Sequence, residues 1–169
     1  MSWPVSVLTN PNARALPFIG TAWACATIPA LIIVLALEQV VPAAWTDAAN
    51  EAIIPENVPP AMLAFGFVVF APIVETAFMA VLYAILGLFR LPVRVQIGVT
   101  ILLAAIAHGA QAIMWAAGPA WIFFILAVVW FTKRQKSWGE AFAFTTIVHA
   151  LNNAVPSVGL FFPELAGTA

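Results

Sequence analysis

Glu75, His108, Gln111, His149, Asn152 and Asn153 are the polar residues that interrupt the long apolar stretches of this sequence. A carboxylate, two imidazoles and an amide form a set that can activate water. The carboxylate, helped by an imidazole, takes the proton, and an amide or ring N–H stabilises the oxyanion that develops on an attacked carbonyl. A carboxylate with two imidazoles is also the usual ligand set of a catalytic zinc, so Glu75, His108 and His149 leave open a divalent metal such as zinc. His149 and Asn153 are spaced i and i+4, and His108 and Gln111 i and i+3, which puts each pair on one face of a helix. Taken singly, each residue has a plainer alternative, an interhelical hydrogen bond with no chemistry. Their common depth is the reason to read them together.

The elements that must position them are membrane spans. Of the 169 residues 64% are hydrophobic and 8% are charged, and the mean hydropathy is +1.04; soluble domains carry roughly a quarter of their residues as charges. Five apolar stretches can be placed at 15–41, 60–89, 95–117, 119–132 and 138–162, against the ~20 residues a bilayer core requires. The fourth is short. Glu75, His108, His149 and Asn153 fall near the middle of their spans, so a rise of about 1.5 Å per residue brings them to within a turn or two of one plane. Burying a carboxylate there costs several kcal/mol unless it is paired, and the two histidines are the expected partners of Glu75.

Charge gives the orientation. With five alternating spans, Arg14, Arg90, Arg94, Lys133, Arg134 and Lys136 all fall on one side, and Asp47, Glu51, Glu56 and Glu164 on the other. The positive-inside rule then puts the N-terminus in the cytoplasm and the C-terminus outside. The basic clusters set topology, with attraction to anionic lipid as a secondary effect. Trp45, Trp115 and Trp121 are expected near the outer boundary and Trp3, Trp130 and Trp138 near the inner one, with Trp23 deep. Glu38 and Glu140 read as boundary residues. The segment 42–59 is a polar, proline-bearing loop. The expected fold is therefore an all-α, polytopic transmembrane helical bundle forming a single membrane domain over 1–169.

The net charge of −1 offers no basic surface for nucleic acid. Cys25 is alone, which rules out an intramolecular disulfide and a paired-cysteine metal site.

The order of the polar motifs resembles the CPBP family of intramembrane proteases, which includes CAAX prenyl-proteases and enzymes of bacteriocin processing and immunity. In that family a Glu-Glu-x-x-x-Arg motif after a proline is followed by Phe-x-x-x-His and later by His-x-x-x-Asn. Here Pro72 precedes Glu75, His108 stands four residues after Ala104, and His149 precedes Asn153 by four. The likeness covers about 72–155, with the helix near 15–41 as an N-terminal addition. The resemblance implies that Glu75 and His108 activate water while His149 and Asn153 hold the oxyanion or a metal. It also implies a polar cavity reaching these residues from the cytoplasmic side. Thr76, Ala80 and Ala104 replace the family's second Glu, its Arg and its Phe. Joint loss of the Glu and Arg leaves no orphaned buried charge.

The resulting expectation is an endopeptidase-like protein of a bacterial inner membrane. It would act on a membrane protein or membrane-tethered peptide from within the lipid bilayer. Two other readings stay open. One is a catalytically reduced relative serving as a structural or assembly subunit of a larger membrane complex, which the motif departures favour. The other is ligation of a haem or chlorophyll-type ring by His108 and His149. Transport is disfavoured by the lack of inverted repeats.

Overall fold

A computed structural model describes residues 3–45 and 58–162. Among the described residues the regular structure is entirely helical. A short α1 (Trp3–Leu8) leads into α2 (Ala15–Glu38). Helix α3 (Pro60–Leu88) is continuous but passes through a π-turn at Gly66–Phe70. Then come α4 (Val93–Gly109), a 3-10 turn (Ile113–Ala116), α5 (Ala117–Lys133) and α6 (Trp138–Ser157), which ends in a second 3-10 turn (Val158–Leu160).

Three runs are long and apolar enough to cross a membrane: α2, α3 and Ile113–Lys133. These apolar helices fit a lipid bilayer environment. Helix α4 is shorter, at 17 residues, and α6 has 20 but carries the polar motif residues. The most apolar stretch of α3 is only 17% buried, with Phe65, Phe70, Phe78, Val81 and Leu88 exposed. In lipid such a face is ordinary, because the hydrocarbon is as apolar as the side chains. Asp47, Glu51, Glu56 and Glu164, the acidic half of the charge asymmetry, lie outside the described residues, as does the Trp3 side chain.

Helix α5 is the centre of the bundle. Phe123, Leu126, Ala127, Val129 and Trp130 are buried along it, packed with Phe18, Ala22 and Ala26 of α2, Met79 and Tyr83 of α3, and Val148 of α6. The Trp130 ring lies 5.7 Å from Tyr83 and 5.4 Å from Trp138, and the residue is fully buried. Trp130 is therefore a core residue at the level where the sequence suggested an interfacial ring.

Two span boundaries differ from expectation. The stretch expected at 95–117 stops being helical at Gly109, because Ala112 is extended (φ −151°, ψ 129°). Ala112 and Met114 then turn inward and pack against Leu37 and Val41. The stretch expected as short, 119–132, gains a turn: Pro119 sits in the first turn of α5, where the missing N–H has no intrahelical partner to lose. Helix α6 starts where Ser137 caps it, its hydroxyl accepting from the Glu140 N–H at 2.9 Å, while Glu140 pairs with Lys136 at 3.0 Å. Arg90 closes α3 in the left-handed region (φ 54°), with the Leu91 N–H reaching the Leu86 carbonyl.

Lys133 is one of the basic residues expected to face headgroups, yet it is 1% exposed. Its ammonium donates to the carbonyls of Pro11 (3.0 Å) and Ala13 (3.4 Å) and sits 4.0 Å from the Phe18 ring centre and 4.5 Å from that of Phe144. Thr132 donates to the Leu8 carbonyl at 2.8 Å. Together they fasten the N-terminal segment across the end of α5, and carbonyls and aromatic faces replace the hydration the charge has lost.

Candidate functional site

Prolines organise the interior around the polar residues. Pro29 cannot donate to the Cys25 carbonyl one turn earlier, and the Trp121 indole N–H fills that place at 2.8 Å. In α3 the Ala71 N–H bonds to Gly66 in the π register, so the next bond, to Phe67, would need the N–H that Pro72 lacks. The Asn153 side-chain amide supplies it at 3.0 Å. Asn152, its neighbour, accepts from the Thr27 hydroxyl at 3.0 Å, and the Trp23 indole donates to the Leu151 carbonyl at 3.2 Å. These contacts hold α6 against α2 and α3.

Glu75 follows this junction by less than a turn. Its Oε2 lies 3.6 Å from Nε2 of His149, with the His149 side chain 3% and the Glu75 side chain 33% exposed. His108 occupies the last turn of α4, and its Nδ1 bonds to the Ala104 carbonyl at 2.9 Å. A carbonyl only accepts, so the neutral ring carries its proton on Nδ1 and has its lone pair on Nε2. Phe123 stands against both imidazoles, with ring centres 5.6 Å from His108 and 5.5 Å from His149.

Glu75, His108, His149 and Asn153 line one cavity of about 390 Å³. The same cavity includes Gln111 and Asn152, and Trp115 closes part of its wall. A second, more apolar cavity of about 290 Å³ lies between α3 and α4, walled by Val74, Phe78, Leu82 and Leu103. The two share Glu75, His108, Gln111 and Phe123. Thr76 lines neither, being wholly buried, and Ala80 lines neither as well. The positions where the resembled family has its second Glu and its Arg therefore leave no gap at this cavity.

Gln111 belongs to the polar set of the sequence but not to the motifs that carry the family likeness. It lies just beyond the end of α4 and is exposed, with a long contact of 3.4 Å from its amide to the Ala107 carbonyl. Its amide is less committed than that of Asn153. Among the described residues, no three His, Cys, Asp or Glu side chains are grouped as the ligands of a metal ion. The set Glu75, His108 and His149 shares a cavity without forming such a group.

The cavity has a direction. The basic residues gather at one end of the bundle, where α2 begins, where α3 turns into α4, and where α5 ends against the N-terminal segment. Val34, Phe67, Trp115, Pro119 and Leu160, all from the opposite halves of their helices, line the larger cavity. The resemblance implied entry from the basic end; the lining comes from the other.

No protein-family model matches the chain, and no curated protein or solved structure matches it.

Proposed function

We propose that the chain is a CPBP-like intramembrane hydrolase acting on peptide bonds, built on five spans with the N-terminus in the cytoplasm. The observation that carries this reading is the shared cavity of Glu75, His108, His149 and Asn153, with Glu75 and His149 3.6 Å apart. The Glu75 carboxylate, oriented by His149, takes a proton from water as its oxygen attacks the carbonyl carbon. The His108 Nε2 lone pair is available to the same water. The oxyanion takes a hydrogen bond from the Gln111 amide, because Asn153 already serves the Phe67 carbonyl. Collapse of the tetrahedral adduct breaks the C–N bond, and the proton held by Glu75 passes to the departing amine.

Comparison of membranes containing wild-type protein or Glu75→Gln tests this. Peptide termini present only with the wild type are expected; identical termini in both would reject the hydrolytic reading.

A second reading, a catalytically reduced subunit of a larger membrane assembly, is favoured by one observation: the amides of Asn152 and Asn153 both serve structural contacts. Co-purification at fixed ratio with other membrane proteins, together with no dependence on Glu75, would support it.

A further inference from the structure

We propose that the cavity is served from the non-cytoplasmic side, and that its substrate is the polar flank of a membrane-inserted peptide on that side, with the adjoining apolar part lying between α3 and α4. The substrate portion rests on the hydrolytic reading; the side of access does not.

Helix α3 runs about 13 residues, roughly 20 Å, from Glu75 to its basic end, and α6 runs about 11 residues, roughly 17 Å, from Trp138 to His149. Below Glu75 this depth is filled by the largest side chains of the core. Met79, Tyr83 and Trp130 are each no more than 1% exposed, and Phe131 packs 4.7 Å from Tyr83. That plug closes the core around Trp130, while beside it the smaller cavity runs past Met79 to Leu82 and Thr100 as an apolar cleft between α3 and α4.

Above Glu75 the packing changes character. Helix α4 ends at Gly109, one residue past His108, so the wall it would have continued is replaced by an inward turn. Pro156 is exposed, Trp115, Pro119 and Leu160 are half-buried, and all four ring the cavity at this end. The polar members Asn152, Asn153 and Ser157 all lie on this path. The smaller cavity leaves the same four shared residues sideways, between exposed Val74 and Phe78 on α3 and Leu103 on α4. A branch carrying the polar side chains and a more apolar branch therefore meet at Glu75, His108 and Gln111. A peptide passing from lipid into water fits both branches at once, and the bond beside Glu75 is the one at its border. The basic residues make the closed end cytoplasmic, which leaves the open end on the other side.

The test uses full-length protein in a Cys25→Ala background, with single cysteines at Gln111, Ile122, Leu160 or Gln135. Right-side-out and inside-out vesicles are treated with a membrane-impermeant maleimide. Leu160→Cys, Gln111→Cys and Ile122→Cys are expected to react at least tenfold faster in right-side-out vesicles, and Gln135→Cys the reverse. Reaction of Gln111→Cys and Ile122→Cys only in inside-out vesicles, or in neither while Leu160→Cys reacts, overturns the proposal. Ile122→Cys guards against misfolding of the Gln111 variant. For the substrate, Glu75-dependent new termini are expected at the non-cytoplasmic borders of spans; termini at cytoplasmic borders overturn that part. Correct labelling without any Glu75-dependent termini rejects the hydrolase and leaves the access route standing.

Discussion

The Asn153 side-chain amide takes the hydrogen-bonding place that Pro72 vacates, donating to the Phe67 carbonyl at 3.0 Å across the contact between α6 and α3. A side chain that completes a neighbour's backbone is coupled to the defect it repairs. Asn153→Leu is expected to cost about 0.6 kcal/mol, and no more than about 1.7, in a membrane interior. Pro72→Ala restores the backbone donor, so the two changes together should cost measurably less than their sum. Reversible unfolding in mixed micelles gives the cycle. A coupling of about 0.5 kcal/mol or more is expected, and additivity would mean that Asn153 does not answer to Pro72.

Glu75→Gln keeps the size and polarity of the side chain and removes its basicity. On the proposed hydrolytic reading, cleavage is expected to fall about 10²- to 10⁴-fold, the range typical of a general base. Helix content and unfolding midpoint should stay close to wild type, because the side chain is one-third exposed. A Gln variant as active as wild type would reject Glu75 as the base and, with it, the hydrolytic reading.

On the same proposed reading, Gln111→Leu separates oxyanion binding from scaffolding. The residue is exposed and only weakly tied to Ala107, so stability should barely change while kcat drops about 10²- to 10³-fold. Unchanged kcat would return the oxyanion to Asn153 and its remaining N–H.

Arg90→Gly should stabilise the hairpin between α3 and α4. The φ of 54° costs an L-residue about 1 kcal/mol that glycine does not bear. The unfolding midpoint is expected to rise, and a fall would show that the Arg90 side chain contributes more than its backbone costs.

Much of this arrangement can be read in the sequence, and the exceptions have physical causes. Apolar length alone locates α2, α3 and the start of α6, and the i, i+4 spacing of His149 and Asn153 puts both on one cavity. The end of α4 is not readable from hydropathy, because Ala110, Ala112 and Ile113 are as apolar outside a helix as in one. Only the packing of Ala112 and Met114 under Leu37 and Val41 decides. Trp130 and Lys133 mislead for a related reason. Both residue types usually mark an interface; here the carbonyls of the N-terminal segment take the Lys133 ammonium, and Trp130 is enclosed by ring packing with Tyr83 and Trp138. Asn153 was legible as polar and inward, but its partner was not, since a free carbonyl leaves no trace in residue identity except through Pro72.

Lys133→Met tests the N-terminal fastening. It removes the contacts to Pro11, Ala13, Phe18 and Phe144, and protease cleavage within the first 14 residues should accelerate severalfold while the core of α5 remains protected. Equal cleavage in both proteins would show that Thr132 and α1 hold the segment without the charge.

The same fastening sets an order of events during synthesis. Pro11 and Lys133 are 122 positions apart, so at about 5–20 residues per second the N-terminal segment waits roughly 6 to 24 s for its anchor to be made. Throughout that interval α2 is in the bilayer without the helix that covers its inner face. The amino-terminal end can become fixed only after α5 has arrived, so the beginning of the chain is among the last parts of the bundle to settle.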